Sequence, residues 1–488
     1  MKNSLLIIIL VLAISSCKND KYTEPPVTNY PADVEKILVA NCATSGCHNT
    51  ASKDAAAGLD LSSWDKMFEG TNNGAVTIPF RTDFSTLLYF TNTDSTLGLV
   101  SEPRMPVNGA ALSKADYLLL KDWIFSGAPD KNGNIKFSGD PLRHKYYVSN
   151  QGCDVVSVFD ADKNVVMRMV DVGLNAGASP PESPHNVRVT ADGKYWVVVF
   201  LNSDNVQVYS TETDALVSNI SIGNGIAGAW NTVTLSSDSK MAYAVDYNLG
   251  RVAIVDLIAG TSTTIGPFPI TGSAAPNLHG SALNKTNDTL YVTCQELSKI
   301  IKIPLNNFFD YQDINLQGTQ PLPFALKPHE VAFSPDFTKY FVTCQDTNVN
   351  QVRVYNASND QLIAAIPVGR YPLEMSISPS KNLLFVTNQE DNYFADVRGS
   401  VSAIDMTTLT EVSRIKVGWQ PHGIAVDEKQ GVVLVANRNF SGGIAPHHAA
   451  ACAGSNGYLS AIDLNTLLKL PKFKPEVSVD PYSLSVRP

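Results

Sequence analysis

Two thiols and an imidazole stand close together near the N-terminus, in the run Asn41-Cys42-Ala43-Thr44-Ser45-Gly46-Cys47-His48. A pair of thiols can add to the vinyl groups of a haem. A His directly after the second thiol is then held under the iron as an axial ligand, which is the logic of a Cys-x-x-Cys-His attachment motif. Here four residues, not two, separate Cys42 from Cys47. The alternatives are a disulfide or a zinc site; zinc needs a fourth ligand and usually a second Cys/His pair, and none lies nearby. A second axial ligand is expected some tens of residues later. Met105, in Glu102-Pro103-Arg104-Met105-Pro106-Val107-Asn108-Gly109, sits on a stretch that Pro and Gly make rigid. Met67 is the rival, but Trp64-Asp65-Lys66-Met67-Phe68 reads as a packed apolar segment. One covalent haem c is therefore expected, with His48 and Met105 filling both axial positions. That favours electron transfer over oxygen chemistry and implies a redox partner protein.

Histidine supplies the second set. The chain has eight, and four occupy one recurring slot: Ser-Pro-His185-Asn, Asn-Leu-His279-Gly, Lys-Pro-His329-Glu and Gln-Pro-His422-Gly. Imidazole suits copper, zinc, iron or nickel, so four converging rings could hold an additional copper or iron. The alternative is a turn preference in which each ring bonds neighbouring backbone. A further pair, His447 and His448, lies in the run Ser441-Gly442-Gly443-Ile444-Ala445-Pro446-His447-His448, with Cys452 soon after. These could ligate a metal or cover a channel mouth, or belong to a polar surface loop. His144 reads as incidental. No paired-carboxylate motif, Gly-x-Ser-x-Gly or His-Glu-x-x-His pattern is present.

The elements that must position these residues fall into two regions. Over 31–137, Val34, Ile37 and Leu38 mark one face of a short helix that delivers the chain into Cys42. After Met105, Ser113-Lys114-Ala115-Asp116 forms a capping box, Leu118 to Ile124 supply an apolar face, and Gly127 and Pro129 end the helix. Over 144–488 the pattern becomes strand, turn, strand, with a repeat of about 45–50 residues, in the propeller range. Seven inner strands and seven second strands can be counted. The chain enters on a second strand, Lys145-Tyr146-Tyr147-Val148-Ser149-Asn150, and leaves on an inner one, Leu484-Ser485-Val486. The C-terminal strand is thus expected to complete the first blade and close the ring. The histidine slot directly precedes the inner strand, so its rings should face the mouth of the central channel. Asn231, Leu373 and Tyr482 fill the slot in the other three blades.

Helix, Cys-Cys-His, Met-Pro loop and a closing helix ending in Trp-Ile-x-x-Gly-Ala-Pro resemble the class I cytochrome c fold with a lengthened C-x4-C-H motif. Tyr-Tyr-Val-Ser-Asn, Tyr-Val-Thr-Cys and Phe-Val-Thr-Asn-Gln resemble the YVTN family of β-propellers. Together the resemblances imply a multidomain chain: a small all-α cytochrome c domain, then an all-β seven-bladed propeller. In architecture the slot is similar to the propeller histidines that hold copper in nitrous oxide reductases, though this chain has four slot histidines and not seven, and no cupredoxin domain.

Lys2 followed by the apolar run Leu5 to Ile14, then Ala13-Ile14-Ser15-Ser16-Cys17, resembles a bacterial lipoprotein signal. Residues 1–17 are then the signal and a lipidated Cys17, and 18–30 a tether. The expected location is the bacterial cell envelope, on the membrane through an N-terminal lipid and facing the periplasm or the cell surface. Seven Cys in 488 residues argue against a disulfide scaffold, and Cys294 and Cys344 read as small buried strand residues. The net charge of −9 makes nucleic acid an improbable partner. The function read from these features is electron transfer by a cell-envelope haem protein whose propeller binds a substrate, metal or partner. A periplasmic oxidoreductase is left open. The alternative is a non-catalytic binding or scaffold lipoprotein with haem as carrier or sensor.

Overall fold

Short alternating or β-branched segments become strands of four to eight residues, and these assemble into seven four-stranded antiparallel sheets among the described residues. The computed structural model describes residues 27–175, 177, 179–270, 277–318 and 322–488. Cys17, the signal and most of the tether lie outside them.

Blade 2 shows the pattern. It runs Pro184–Val189, Tyr195–Phe200, Asn205–Ser210 and Leu216–Ser221. The first turn is fixed by a local device: Thr190 Oγ1 donates to Asp192 Oδ1 at 2.7 Å, and Lys194 N donates to the same oxygen at 3.1 Å. Ser236 with Asp238 and Ser334 with Asp336 repeat it in later blades, at 2.6 Å each. A short polar side chain that bonds backbone two residues on is what such turns require.

Blade 1 is completed from the far end of the chain, as the strand count implies. Pro481–Val486 pairs antiparallel with Lys145–Asn150, Tyr146 opposite Val486 and Val148 opposite Leu484. The ring therefore has no open seam. A disulfide between Cys153 in blade 1 and Cys452 in the blade 7 insertion crosses the same junction, with Cα atoms 5.6 Å apart. Cys452 is consequently not a free ligand. Cys294 and Cys344 are buried and unpaired, as expected of small strand residues.

The expectation of a separate all-α cytochrome c domain is corrected. Among the described residues only about 8% are helical. Residues 27–137 hold α1 (Ala32–Asn41), α2 (Trp64–Met67), α3 (Thr86–Thr91) and α4 (Lys114–Phe125), joined by irregular chain. These helices are too short to enclose a core alone. Tyr30, Val34, Leu38, Trp64 and Trp123 instead form one apolar cluster with Tyr147, Val158, Val187 and Trp196 of the first two blades. Arg81 fastens the same junction, donating to the Met169 carbonyl at 2.7 Å and pairing with Asp171 at 2.9 Å. The capping box is present: Asp116 N donates to Ser113 Oγ at 3.1 Å. The N-terminal segment is a lobe built onto the propeller, not a second body. Among the described residues no helix is long and apolar enough to cross a membrane.

Candidate functional site

α1 ends at Asn41 and hands the chain to Cys42, whose side chain is buried. The loop that follows turns back on itself: Cys47 N donates to the Thr44 carbonyl at 3.0 Å, and His48 N to the Cys42 carbonyl at 3.0 Å. Gly46 sits at φ +81°, a backbone region that L side chains rarely enter, and this allows the extra two residues to be folded into the turn. Cys42, Cys47 and His48 thus come to one wall of a cavity of about 390 Å³. Such a volume falls within the range of small-molecule sites. Leu59, Leu61, Val76, Leu87 and Phe90 make its lining mainly apolar.

Met105 reaches the same cavity, so the structure brings together all four residues singled out around the thiols. Its backbone N donates to the Phe90 carbonyl at 2.7 Å, which fixes the Pro-flanked loop to the end of α3. Met67 does not line the cavity and is fully buried, accepting from Thr77 Oγ1. Cys42 and Cys47 are both unpaired. Burial pushes the Cys42 thiol up to about 11, with Cys47 nearby adding to the rise. His48 is half-buried; burial lowers its pKa, opposed by a hydrogen bond to Ala56 backbone. Its Nδ1 is buried without a partner. Two free thiols and an imidazole with one unpaired buried nitrogen thus share the wall of one apolar cavity, a donor set suited to an electrophile.

The last wall was not foreseen. His447 and His448, from the insertion between the second and third strands of blade 7, line this same cavity and not the channel mouth. The sequence carried one signal: a long His- and Cys-bearing loop in blade 7, the blade that ring closure sets beside blade 1.

The four slot histidines converge at one end of the channel. Their rings, with that of Tyr482, run round its mouth: His279 to His329 is 3.9 Å between centroids, His329 to His422 5.5 Å, His422 to Tyr482 3.7 Å, Tyr482 to His185 3.9 Å and His185 to His279 6.2 Å. Every Nδ1 is engaged. His279 and His422 donate to the carbonyls of His329 (3.2 Å) and Tyr482 (3.0 Å). His185 meets Gln151 and His329 meets Gln295, each at 3.2 Å. The Nε2 atoms of His185 and His329 are buried without partners. Burial is the main cause that holds all four rings neutral, with pKa values below the ordinary imidazole range. Among the described residues no three His, Cys, Asp or Glu side chains are arranged to hold a metal ion. His144 bonds Asp427 at 2.8 Å, away from both sites.

A carboxylate pair lies directly after the slot. Glu330 and Glu374, on the inner strands of adjacent blades 5 and 6, are buried, and Arg188 approaches Glu374 at 3.4 Å. Burial first, and Glu374 second, raise Glu330 to about 8. A charged residue in a strand expected to line the central channel was the available signal. The sign of the consequence follows from proton uptake. The unfolded carboxyl releases its proton near pH 4.5 whereas the folded one keeps it to about pH 8, so stability falls as pH rises between these values. Glu330→Gln is expected to remove that fall. The urea midpoint of the variant should gain on the wild type by about 1.4 kcal/mol per pH unit between pH 5 and 8. A difference that stays constant with pH would show that Glu330 is ionised in the folded state.

No family model matches the chain, and no curated protein does. Solved structures do. A candidate 6-phosphogluconolactonase from Bacteroides fragilis NCTC 9343 superposes with a TM-score of 0.51 at 16% identity, over 71% of this chain and 99% of that one. A streptogramin B lyase structure gives 0.49 at 11% identity, over 70% and 91%. A protein of unknown function from Desulfotomaculum acetoxidans DSM 771 gives 0.49 at 13%, over 69% and 99%. At these identities the likeness concerns the fold alone. With its own ring of seven blades and that first superposition, the chain is a seven-bladed β-propeller bearing a short helical lobe at its N-terminus.

Proposed function

We propose that the lobe cavity takes one covalently attached haem, and that the protein carries electrons in a bacterial cell envelope with the propeller as its binding or scaffolding platform. The observation that carries this reading is the meeting of Cys42, Cys47, His48 and Met105 on one apolar cavity, two of them free thiols and one an imidazole with an unpaired buried nitrogen.

Cys42 and Cys47 would hold the group by thioether bonds. Each S–H adds across a vinyl double bond, sulfur to the inner carbon and hydrogen to the terminal one, and nothing is lost. His48 and Met105 would be the donors to its iron. When bound, haem with such ligands supplies one-electron transfer at a potential raised by the thioether. The apolar side chains of Leu59, Leu61, Val76, Leu87 and Phe90 would surround the group and limit its contact with water. The run ending at Cys17 supports a lipid anchor, and with it the envelope location, a membrane-side position and a protein redox partner. A catalytic reading, with copper or further iron at the channel, is less well supported than a platform, since the Nδ1 of every slot ring is already engaged by a backbone carbonyl or a Gln side chain.

The test is export of the full chain in a host that matures c-type cytochromes, followed by a pyridine haemochrome spectrum and metal analysis. One covalent haem per chain is expected, lost when Cys42 and Cys47 are both changed to Ser. Wild-type protein without covalent haem would overturn the reading. On fractionation of the same cells the wild type should require detergent for release and Cys17→Ala should not; equal solubility removes the anchor.

A further inference from the structure

The blade 7 insertion reaches across the ring seam to the lobe cavity, and its geometry there is that of a built ligand. His448 is buried, and its Nδ1 lies 3.0 Å from Glu476 Oε2. The His448 backbone N donates to the same carboxylate oxygen at 3.0 Å, and His447 N donates to the other oxygen. Asn456 Nδ2 donates to the His448 carbonyl at 3.3 Å. The Cys153–Cys452 disulfide pins the far side of the loop to blade 1. An imidazole whose one nitrogen is tied to a carboxylate offers only the other to a cavity occupant, and that pairing is how proteins orient metal-binding histidines.

Phe90 is the shared neighbour. Its carbonyl holds the Met105 backbone, and its ring packs on His447 and His448 at 5.9 and 5.8 Å. Met105 and His448 therefore enter the cavity beside one residue, while His48 is tied to Ala56 elsewhere on the wall. We propose that His448 would be an alternative donor to the haem iron, supplied by the propeller, that competes with Met105. This rests on the haem reading above. It makes the haem responsive to whatever moves the blade 7 loop, and so gives the fusion of lobe and propeller a purpose that a simple tether would not need.

The test uses the full-length exported protein and its ferric and ferrous absorption spectra. Met105→Ala is expected to stay low-spin, with two imidazoles on the iron, and to lose the methionine–iron charge-transfer band. Met105→Ala with His448→Ala is expected to become high-spin and to bind added imidazole and carbon monoxide. Glu476→Gln on the Met105→Ala background keeps an acceptor for only one of the two backbone N–H groups of the loop, removes the carboxylate behind His448, and should bind added imidazole about 10-fold more readily than Met105→Ala alone; it serves also where removal of His448 prevents folding. A high-spin Met105→Ala protein overturns the proposal while leaving the haem reading intact. A double variant that stays low-spin overturns the assignment to His448. Wild type lacking covalent haem overturns both.

Discussion

A chain ending at Asp480 is expected to yield no soluble monomer. The strand it lacks, Pro481–Val486, has three roles at once. It pairs with Lys145–Asn150 and so removes the edge of blade 1. It joins blade 1 to blade 2, where Asn186 Nδ2 donates to Ser483 Oγ at 3.2 Å and Val189 N to Ser485 Oγ at 3.1 Å. Its Tyr482 ring lies between those of His185 and His422. Without it a row of unpaired backbone groups faces solvent beside the bared apolar face of blade 1, which is a template for association. The cost exceeds a side-chain count, because the channel wall and the disulfide junction beside it lose their support together. Leu484→Ala offers the graded version: the residue is 3% exposed, and the variant should lose about 2–4 kcal/mol by urea unfolding. Size exclusion and circular dichroism on the truncated chain decide the stronger case. A monomer with wild-type melting behaviour would show that the ring is stable while open.

Ring closure was legible because it is a matter of counting: an unmatched second strand at Lys145 and an unmatched inner strand at Leu484 can only satisfy each other. The histidine slot was legible for the same reason, since a fixed position in a repeat maps to a fixed place in the ring. The four haem-site candidates were legible as chemistry, because thiols, imidazole and thioether stand out against their surroundings. What the sequence hid were relations between parts that share no periodicity. α1 and α4 look like the helices of an independent domain, yet their apolar faces are matched to Tyr147 and Trp196 of the propeller. Cys153 and Cys452 are 299 residues apart and become partners only once blades 1 and 7 are neighbours. His447 and His448 read equally well as a channel lid. Glu330 and Glu374 each look like an ordinary strand carboxylate until both prove to be buried on adjacent inner strands.

The channel mouth leads to the second large effect, an unfolding transition in mild acid that carboxylates alone would place lower. His185, His279, His329 and His422 are buried and neutral, with His279 lowered to about 4, chiefly by loss of water. The groups facing them reinforce the direction: Arg438, paired with Asp480 at 2.5 Å and set over the Tyr482 ring, opposes a further positive charge. In the unfolded chain each imidazole takes up a proton near pH 6.5, and in the fold it does not. Stability is therefore complete above that pH and declines below it, by about 1.4 kcal/mol per pH unit for each ring until its folded pKa is reached. For His279 alone the interval from 6.5 to about 4 corresponds to roughly 3 kcal/mol. Glu330 and Glu374, both raised chiefly by burial, shift stability the other way over part of the same range, but they are two groups against four. Domains have about 5–15 kcal/mol in hand, so the ring is expected to bring unfolding between pH 6 and 5. Urea midpoints across pH 4.5–8 test this. His422→Gln should cost about 1–3 kcal/mol at pH 7.5, since the bond to the Tyr482 carbonyl is weakened, yet it should lose less than the wild type on acidification. Parallel pH profiles for the two would mean that the ring takes up protons without unfolding. The mouth would then have to admit water or an anion to stabilise the charge.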